Sequence, residues 1–183
     1  LRIVSEILLQ RTRADTVAKF LPSFLKTYSS WSDLAQASTR DLENSLAPIG
    51  LQSRRADSIS SLAKQLNANK GFPESRELIE HLPGIGQYVA NAIQLFIFNK
   101  PRPLLDTNMA RVIERYFRKR KLADIRHDPW LQAVAHRAVA IADPKLTNWA
   151  FLDLGAIVCL PRLPKCEICP LKRGCGYKRQ IKS

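Results

Sequence analysis

Leu82-Pro83-Gly84-Ile85-Gly86-Gln87-Tyr88-Val89-Ala90 is the stretch on which the reading of the fold turns. A helical pattern from Ser75 to Leu82 runs into Pro83 and stops there, because proline has no N–H and its ring clashes with the preceding turn. Gly84 and Gly86 permit positive φ and put no side chain in the way of a close approach. Helical periodicity resumes at Gln87 and extends to Phe98. Two helices over about residues 76–98 are thus joined by a sharp reversal. The first N–H groups of the second helix have no partner inside it and can face an anion such as a phosphate. The same turn also serves as a plain helix–helix connection, so its neighbours have to decide between the two.

Outward from the hairpin, the periodicity stays helical. Ile3, Val4, Ile7 and Leu8 share one helix face. Ser38-Thr39-Arg40-Asp41 has capping-box form with Asp in the fourth place, and opens a short helix ending near Ala47-Pro48. Ser53 to Leu66 carries Ile59, Leu62, Ala63 and Leu66 on one stripe. Further helices are expected over Thr107–Phe117, through Trp130 to Ala142, and over Asn148–Val158. No sustained alternation argues for a sheet, and there is no internal repeat or low-complexity tract. The expected fold class is all-α.

The chain has 183 residues, of which 45% are hydrophobic, enough for a packed core. Disorder as the main state is excluded, since disordered chains combine high charge with few apolar residues. No run approaches the roughly 18 apolar residues of a membrane span, and no N-terminal stretch reads as a signal peptide. A protein that is not secreted, cytoplasmic and nucleoid-associated in a bacterium or archaeon and otherwise nuclear or organellar, is therefore expected. The chain opens at Leu1 inside a helical pattern, without Met, so residues are expected to precede it.

The 29 Lys and Arg outweigh the 16 Asp and Glu, leaving a net charge of +13. That excess points to a polyanionic partner, nucleic acid before a membrane surface. It is unevenly placed. Lys100 to Lys121 holds eight basic residues against Asp106 and Glu114, and Cys159 onward holds seven against Glu167. Each block thus contributes +6, leaving the rest of the chain almost neutral. Two concentrated blocks favour a phosphate-binding surface over scattered solvated faces.

All four cysteines lie in one stretch: Cys159, Cys166, Cys169 and Cys175. A disulfide framework would spread them more widely and would need an oxidising compartment. Thiolates close together and set among Pro, Arg and Lys suit a metal, either tetrahedral zinc or a [4Fe–4S] cluster. Zinc sites usually pair two short Cys knuckles, and only Cys166–Cys169 forms one. The spacing of six, two and five favours the cluster, with zinc as the alternative.

These segments together resemble the endonuclease III superfamily of DNA glycosylases. Cys159 to Cys175 is similar to its iron–sulfur loop, and Leu82 to Ala90 to its helix-hairpin-helix. Leu105-Asp106-Thr107-Asn108 with Ala110-Arg111-Val112-Ile113 is similar to its catalytic aspartate segment. The resemblance spans essentially the whole chain. It implies two interleaved helical subdomains, residues 1–18 with 107–183 and residues 19–106. It also implies hairpin contacts to DNA from Gly84, Ile85, Gly86 and Gln87, and a monovalent cation held by hairpin carbonyls. The implied partner is double-stranded DNA carrying a mispaired or damaged base, bound by a monomer.

Breaking an N-glycosidic bond develops positive charge on the sugar and negative charge on the leaving base. Asp106 precedes a helix, where Asp serves as an N-cap and where the helix terminus favours the ionised carboxylate. By resemblance it is the catalytic aspartate, with Asn108 orienting it or a water. Members that also nick the strand have Lys where this chain has Tyr88. Tyr has no amine and forms no imine, so the resemblance implies a monofunctional enzyme that leaves an abasic site. Glu6 lies among Ile3, Val4, Ile7 and Leu8, where an ionised carboxylate is costly. It is either on the helix's polar edge or a carboxyl of raised pKa that contacts or protonates an extruded base.

Ser5-Glu6-Ile7-Leu8-Leu9-Gln10-Arg11-Thr12 resembles both adenine glycosylases and thymine/uracil mismatch glycosylases. The Thr107 between Asp106 and Asn108, and Gly50-Leu51-Gln52-Ser53-Arg54-Arg55-Ala56, look more like the mismatch group. Only eight residues follow Cys175, which leaves no room in this chain for the C-terminal domain with which adenine glycosylases sense 8-oxoguanine. Flipping a base costs a few kcal/mol and is easiest at mispairs. The resemblance implies that Leu51 wedges into the gap and Arg11 contacts the orphaned base. The expected activity is removal of thymine or uracil opposite guanine. Removal of adenine opposite guanine or 8-oxoguanine is one rival, and a non-catalytic DNA-binding protein is another.

Overall fold

Residues Leu1–Ile181 are described by a computed structural model, and within them every regular element is helical. The all-α expectation is met; no described helix is long and apolar enough to cross a membrane. The chain divides into two compact units, Leu1–Ile93 and a second that starts at Gln94. This division is contiguous in sequence.

The first unit begins with α1 (Arg2–Leu8), which buries the Ile3, Val4, Ile7 and Leu8 face read from the sequence. Next comes α2 (Ala14–Thr27), which the sequence reading did not mark: it contains Pro22 and buries only Val17 and Phe24. α3 (Trp31–Gln36) was also unmarked, and Ser30 and Asp33 close a reciprocal capping box on it. α4 (Thr39–Leu46) starts at Ser38, whose hydroxyl accepts from the Asp41 N–H at 3.1 Å. A 3₁₀ turn, Ala47–Ile49, leads to α5 (Gln52–Ala68), which buries Ala56, Ile59, Leu62, Ala63 and Leu66 against α3 and α4. Each large aliphatic side chain buried there contributes about 1.5–3 kcal/mol.

α6 (Arg76–Glu80) and α7 (Gln87–Phe96) form the expected hairpin, with α7 ending two residues early. Gly84 holds φ 72°, and a Cβ there would sit 2.9 Å from the Ser58 Cβ, so conformation and space both demand glycine. Gly86 differs from expectation: its φ is not positive, and a Cβ there would meet nothing within 4 Å. One left-handed residue is enough to reverse the chain.

The second unit contains α8 (Thr107–Tyr116), α9 (Pro129–Ala140), α10 (Pro144–Asp153) and α11 (Gly176–Gln180). Leu105, Met109, Ala110 and Ile113 pack with Leu131, Ala135 and Val139 in its core. α10 starts four residues before the expected Asn148, because Asp143 caps it and Pro144 takes the first helical position. It then widens into a π-helical turn, Leu154–Val158, just before the first cysteine. Asp128 is 1% exposed and accepts from the N–H groups of Lys121, Leu122 and Leu131, fixing the connection between α8 and α9.

Candidate functional site

In the first unit, Gln10, Arg11, Leu51, Arg54 and Arg55 line a cleft of about 430 Å³ together with Gly84, Ile85 and Gly86 of the hairpin. The structure therefore gathers five of the six expected DNA-contacting residues around one opening. Leu51 is 50% exposed, which rules out core packing as its role. It caps α5 with a left-handed backbone, φ 54°, and Arg11 is left-handed too, φ 60°. Ile85 is the exception among side chains: it is buried, so only the backbone of the hairpin faces outward there. Gln87, the sixth, opens α7. The Gln10 amide reaches the Gly84 carbonyl at 3.5 Å, tying the end of α1 to the hairpin.

Glu6 points inward and not along the polar edge. Burial pushes its carboxyl above the ordinary range, and a hydrogen bond from Tyr88 and the charge of Arg2 pull the other way without cancelling the effect. Glu6 Oε2 is buried with no hydrogen-bond partner among the described residues. The structure thus pairs two of the three expected catalytic residues and leaves one carboxyl oxygen free to bond a guest.

The third, Asp106, belongs to the second unit. It is the N-cap of α8: Oδ1 accepts from the N–H groups of Asn108 and Met109, both at 2.8 Å. Oδ2 accepts from the Asn108 side-chain amide at 2.9 Å. The expected pairing of Asn108 with Asp106 is therefore present, and the ordinary cap and the oriented carboxylate are one arrangement. Asn108 Oδ1 in turn accepts from Arg111 at 2.7 Å. Arg111 also donates to the carbonyls of Gly155 at 2.6 Å and Cys159 at 2.7 Å. Upstream, buried Asn148 pins the extended segment that delivers Asp106, accepting from Leu104 N–H and donating to Arg102 C=O.

Cys159, Cys166, Cys169 and Cys175 are free thiols around one small void of about 30 Å³, with Lys165, Lys172, Lys178 and Arg115 at its wall. Among the described residues no three Cys, His, Asp or Glu are arranged to hold a single metal ion. Four thiols lining one void are a donor set of the kind that holds a metal ion or a metal cluster. Arg115 donates to Cys159 Sγ at 3.3 Å and to the Leu160 and Pro161 carbonyls at 2.7 and 2.8 Å, and it lies over the Tyr177 ring.

A profile of the HhH-GPD superfamily base excision DNA repair proteins matches residues 4–127, a span that contains the hairpin and Asp106. The chain belongs to the HhH-GPD superfamily. A thymine/uracil-DNA glycosylase of Pyrobaculum aerophilum is 34% identical over 177 residues, 92% of this chain and 76% of that protein. The adenine DNA glycosylase of Buchnera aphidicola is 34% identical over 174 residues, 94% of this chain but 49% of that protein. The solved structure of a thermostable thymine-DNA glycosylase overlays with a TM-score of 0.88 at 31% identity, covering 97% of this chain and 83% of that one.

In this HhH-GPD chain the basic blocks need a correction. Arg111 and Arg115 are spent on carbonyls near Cys159, Arg120 pairs with Glu114, and Arg118 stacks on Trp130 at 4.0 Å. Part of the +13 is therefore internal scaffolding, while Lys119, Lys121, Arg162, Lys165, Lys172 and Arg173 stay exposed. Sequence reasoning gave no role to Arg55, Arg111, Asn148 or Gly155. An Arg or Asn inside an apolar stripe is the one signal that could have singled out three of them. Nothing marks Gly155, because its importance lies in what packs against it.

Proposed function

We propose that this chain is a monofunctional DNA glycosylase that hydrolyses the N-glycosidic bond of thymine or uracil mispaired with guanine. The observation that carries the reading is the Glu6–Tyr88 pair: a tyrosine bonded to a carboxyl of raised pKa, where strand-nicking relatives place a lysine. Tyr88 has no amine with which to form a Schiff base at that position, and water takes the base's place on the sugar. In this mechanism Asp106, oriented by two N–H groups and one amide, stabilises the positive charge that develops at C1′. Asn108 keeps that carboxylate oriented. Glu6 and the Tyr88 hydroxyl bond the extruded pyrimidine and steady the negative charge it carries away.

Arg11 and Leu51 would enter the duplex, Leu51 filling the gap and Arg11 meeting the orphaned guanine with its planar fork. The hairpin at Gly84–Gln87 would hold a phosphate on its N–H groups, and its carbonyls are where a monovalent cation would bind. A [4Fe–4S] cluster held by Cys159, Cys166, Cys169 and Cys175 would cross-link the loop beside the second basic block. The similarity of the chain to thymine/uracil-DNA glycosylases, and its cover of most of their length, support the choice of base.

Adenine removal is the second reading. Adenine DNA glycosylases align over nearly the whole chain, and loss of a purine gains more from a protonating carboxyl such as Glu6. One experiment separates the readings. Duplexes carrying T·G, U·G, A·G and A·8-oxoG are incubated with the protein, and each sample is split with and without alkali. Strand breaks at T·G and U·G only after alkali are expected. Release confined to the adenine duplexes overturns the reading in favour of the second, and release from none favours a binding protein.

A further inference from the structure

Arg11 and Leu51 both hold left-handed backbones, conformations that residues with a Cβ occupy at a steric cost. Such conformations persist where the surroundings over-determine them. The surroundings here are one side chain. Arg55 is 6% exposed, and its guanidinium reaches both segments. Nη1 donates to the carbonyls of Ile49 at 2.9 Å and Gly50 at 2.8 Å. Nη2 donates to the Gln10 carbonyl at 2.8 Å, the Thr12 hydroxyl at 2.6 Å and the Leu8 carbonyl at 3.3 Å. Gln10 and Thr12 flank Arg11, and Gly50 immediately precedes Leu51. Each strained residue is therefore held by an anchor next to it in sequence, and both anchors lead to the same planar cation.

The acceptors are carbonyls and one hydroxyl, with no carboxylate among them. A buried charge without a counter-ion is expensive, and two segments 40 residues apart need no cation merely to pack. What the fork supplies is rigidity: a fixed planar array of donors that Lys, a point charge on a flexible stem, does not reproduce. Loops held in the bound conformation beforehand lose less freedom when they bind.

We propose that Arg55 is a positioning residue that locks the Arg11 and Leu51 segments together as one rigid pair of probes, so that wedge and orphan-base contact enter the duplex as a unit. The proposal rests on the assignment of those two residues to DNA. Hydrogen exchange on the free protein tests it without any substrate. The Thr12 N–H bonds to Leu9 and the Gly50 N–H to Ala47, so each reports on one segment. In Arg55→Lys and Arg55→Met both amides are expected to exchange at least about tenfold faster, the loss of one bond to a charged donor, while amides in the middle of α5 keep their protection. Thr12→Val, a milder change, is expected to loosen the segment at 49–51 as well as its own. Unchanged exchange in either segment, a response to Thr12→Val confined to residues 10–12, or equal acceleration throughout the chain overturns the proposal.

A second arm uses whichever mispair the wild-type protein cleaves. Arg55→Lys and Leu51→Ala should each slow single-turnover excision at least about tenfold, with the double variant little worse than either single one, because both remove one unit. Additive losses count against the proposal. A wild-type protein that releases no base refutes the functional reading, while the exchange result still decides the clasp.

Discussion

Gly155→Ala is a methyl-sized change outside every motif, and it should disable the aspartate. A Cβ at Gly155 would lie 2.6 Å from the Asn108 Cβ and 3.0 Å from its Cα and carbonyl oxygen. Carbon atoms pack best at roughly 3.5–4.0 Å, so the two segments must part by about 1 Å. No side-chain rotation relieves the contact, because it involves the backbone and first carbon of Asn108. The first turn of α8 has to move, and with it the amide that holds Asp106 Oδ2 at 2.9 Å and the carbonyl bond from Gly155 to Arg111. Overpacking costs about 1–3 kcal/mol, and alanine returns about 1 kcal/mol of helix propensity over glycine. The net loss is at most about 2 kcal/mol, a fall in Tm of no more than about 8 °C at this chain length. The loss in rate should be larger, since a 1 Å displacement of a catalytic group costs roughly a hundredfold. Single-turnover excision from a T·G duplex, run beside thermal unfolding, reads both quantities. A variant that cleaves within about twofold of wild type would refute the reasoning, because Asp106 would then not depend on Asn108 for its position.

Asp106→Asn keeps a good N-cap and should leave folding and DNA binding nearly intact while abolishing excision; substantial turnover would mean the aspartate is misassigned. Tyr88→Lys restores an amine, so borohydride should trap a covalent DNA adduct, and absence of any adduct would place residue 88 away from C1′. Glu6 has a folded-state pKa above the ordinary 4.5, so its ionised form burdens the fold above that raised value and the burden lifts as pH falls toward 4.5. Glu6→Gln should therefore raise Tm more at pH 8 than at pH 5, and a difference independent of pH would contradict the burial argument. If the four cysteines hold a cubane, the purified protein should contain about four iron and four acid-labile sulfide per chain, whereas zinc without sulfide would exclude it.

Local patterns made much of the fold legible. Pro83 and Gly84 announce the reversal, Ser38 and Asp41 announce the start of α4, and the Ile59–Leu66 stripe announces α5. These signals depend on residues within one or two turns of each other, which is why they survive in a bare sequence. α2 is hard to see in the sequence because Pro22 interrupts its pattern and few of its residues are buried; the start of α10 is set by the Asp143-Pro144 cap and not by its apolar pattern. Gly86 permits positive φ but does not adopt it.

The residue types that do chemistry were likewise visible: an aspartate before a helix, a carboxyl among aliphatics, a tyrosine after the hairpin and four clustered cysteines. Each carries its chemistry in its own side chain and its nearest neighbours. The supports were not visible. Arg55 reaches residues 43 to 47 positions before it, Asn148 reaches back to Leu104, and Gly155 matters because Asn108 leans on it. Their identity follows from which backbone carbonyls and amides the fold leaves facing them, and a backbone group has no signature in the sequence. Sequence alone determined the kind of protein and the groups that react; the tertiary structure decided which groups hold them still, because a hydrogen bond between distant segments exists only once the packing has brought its donor and acceptor together.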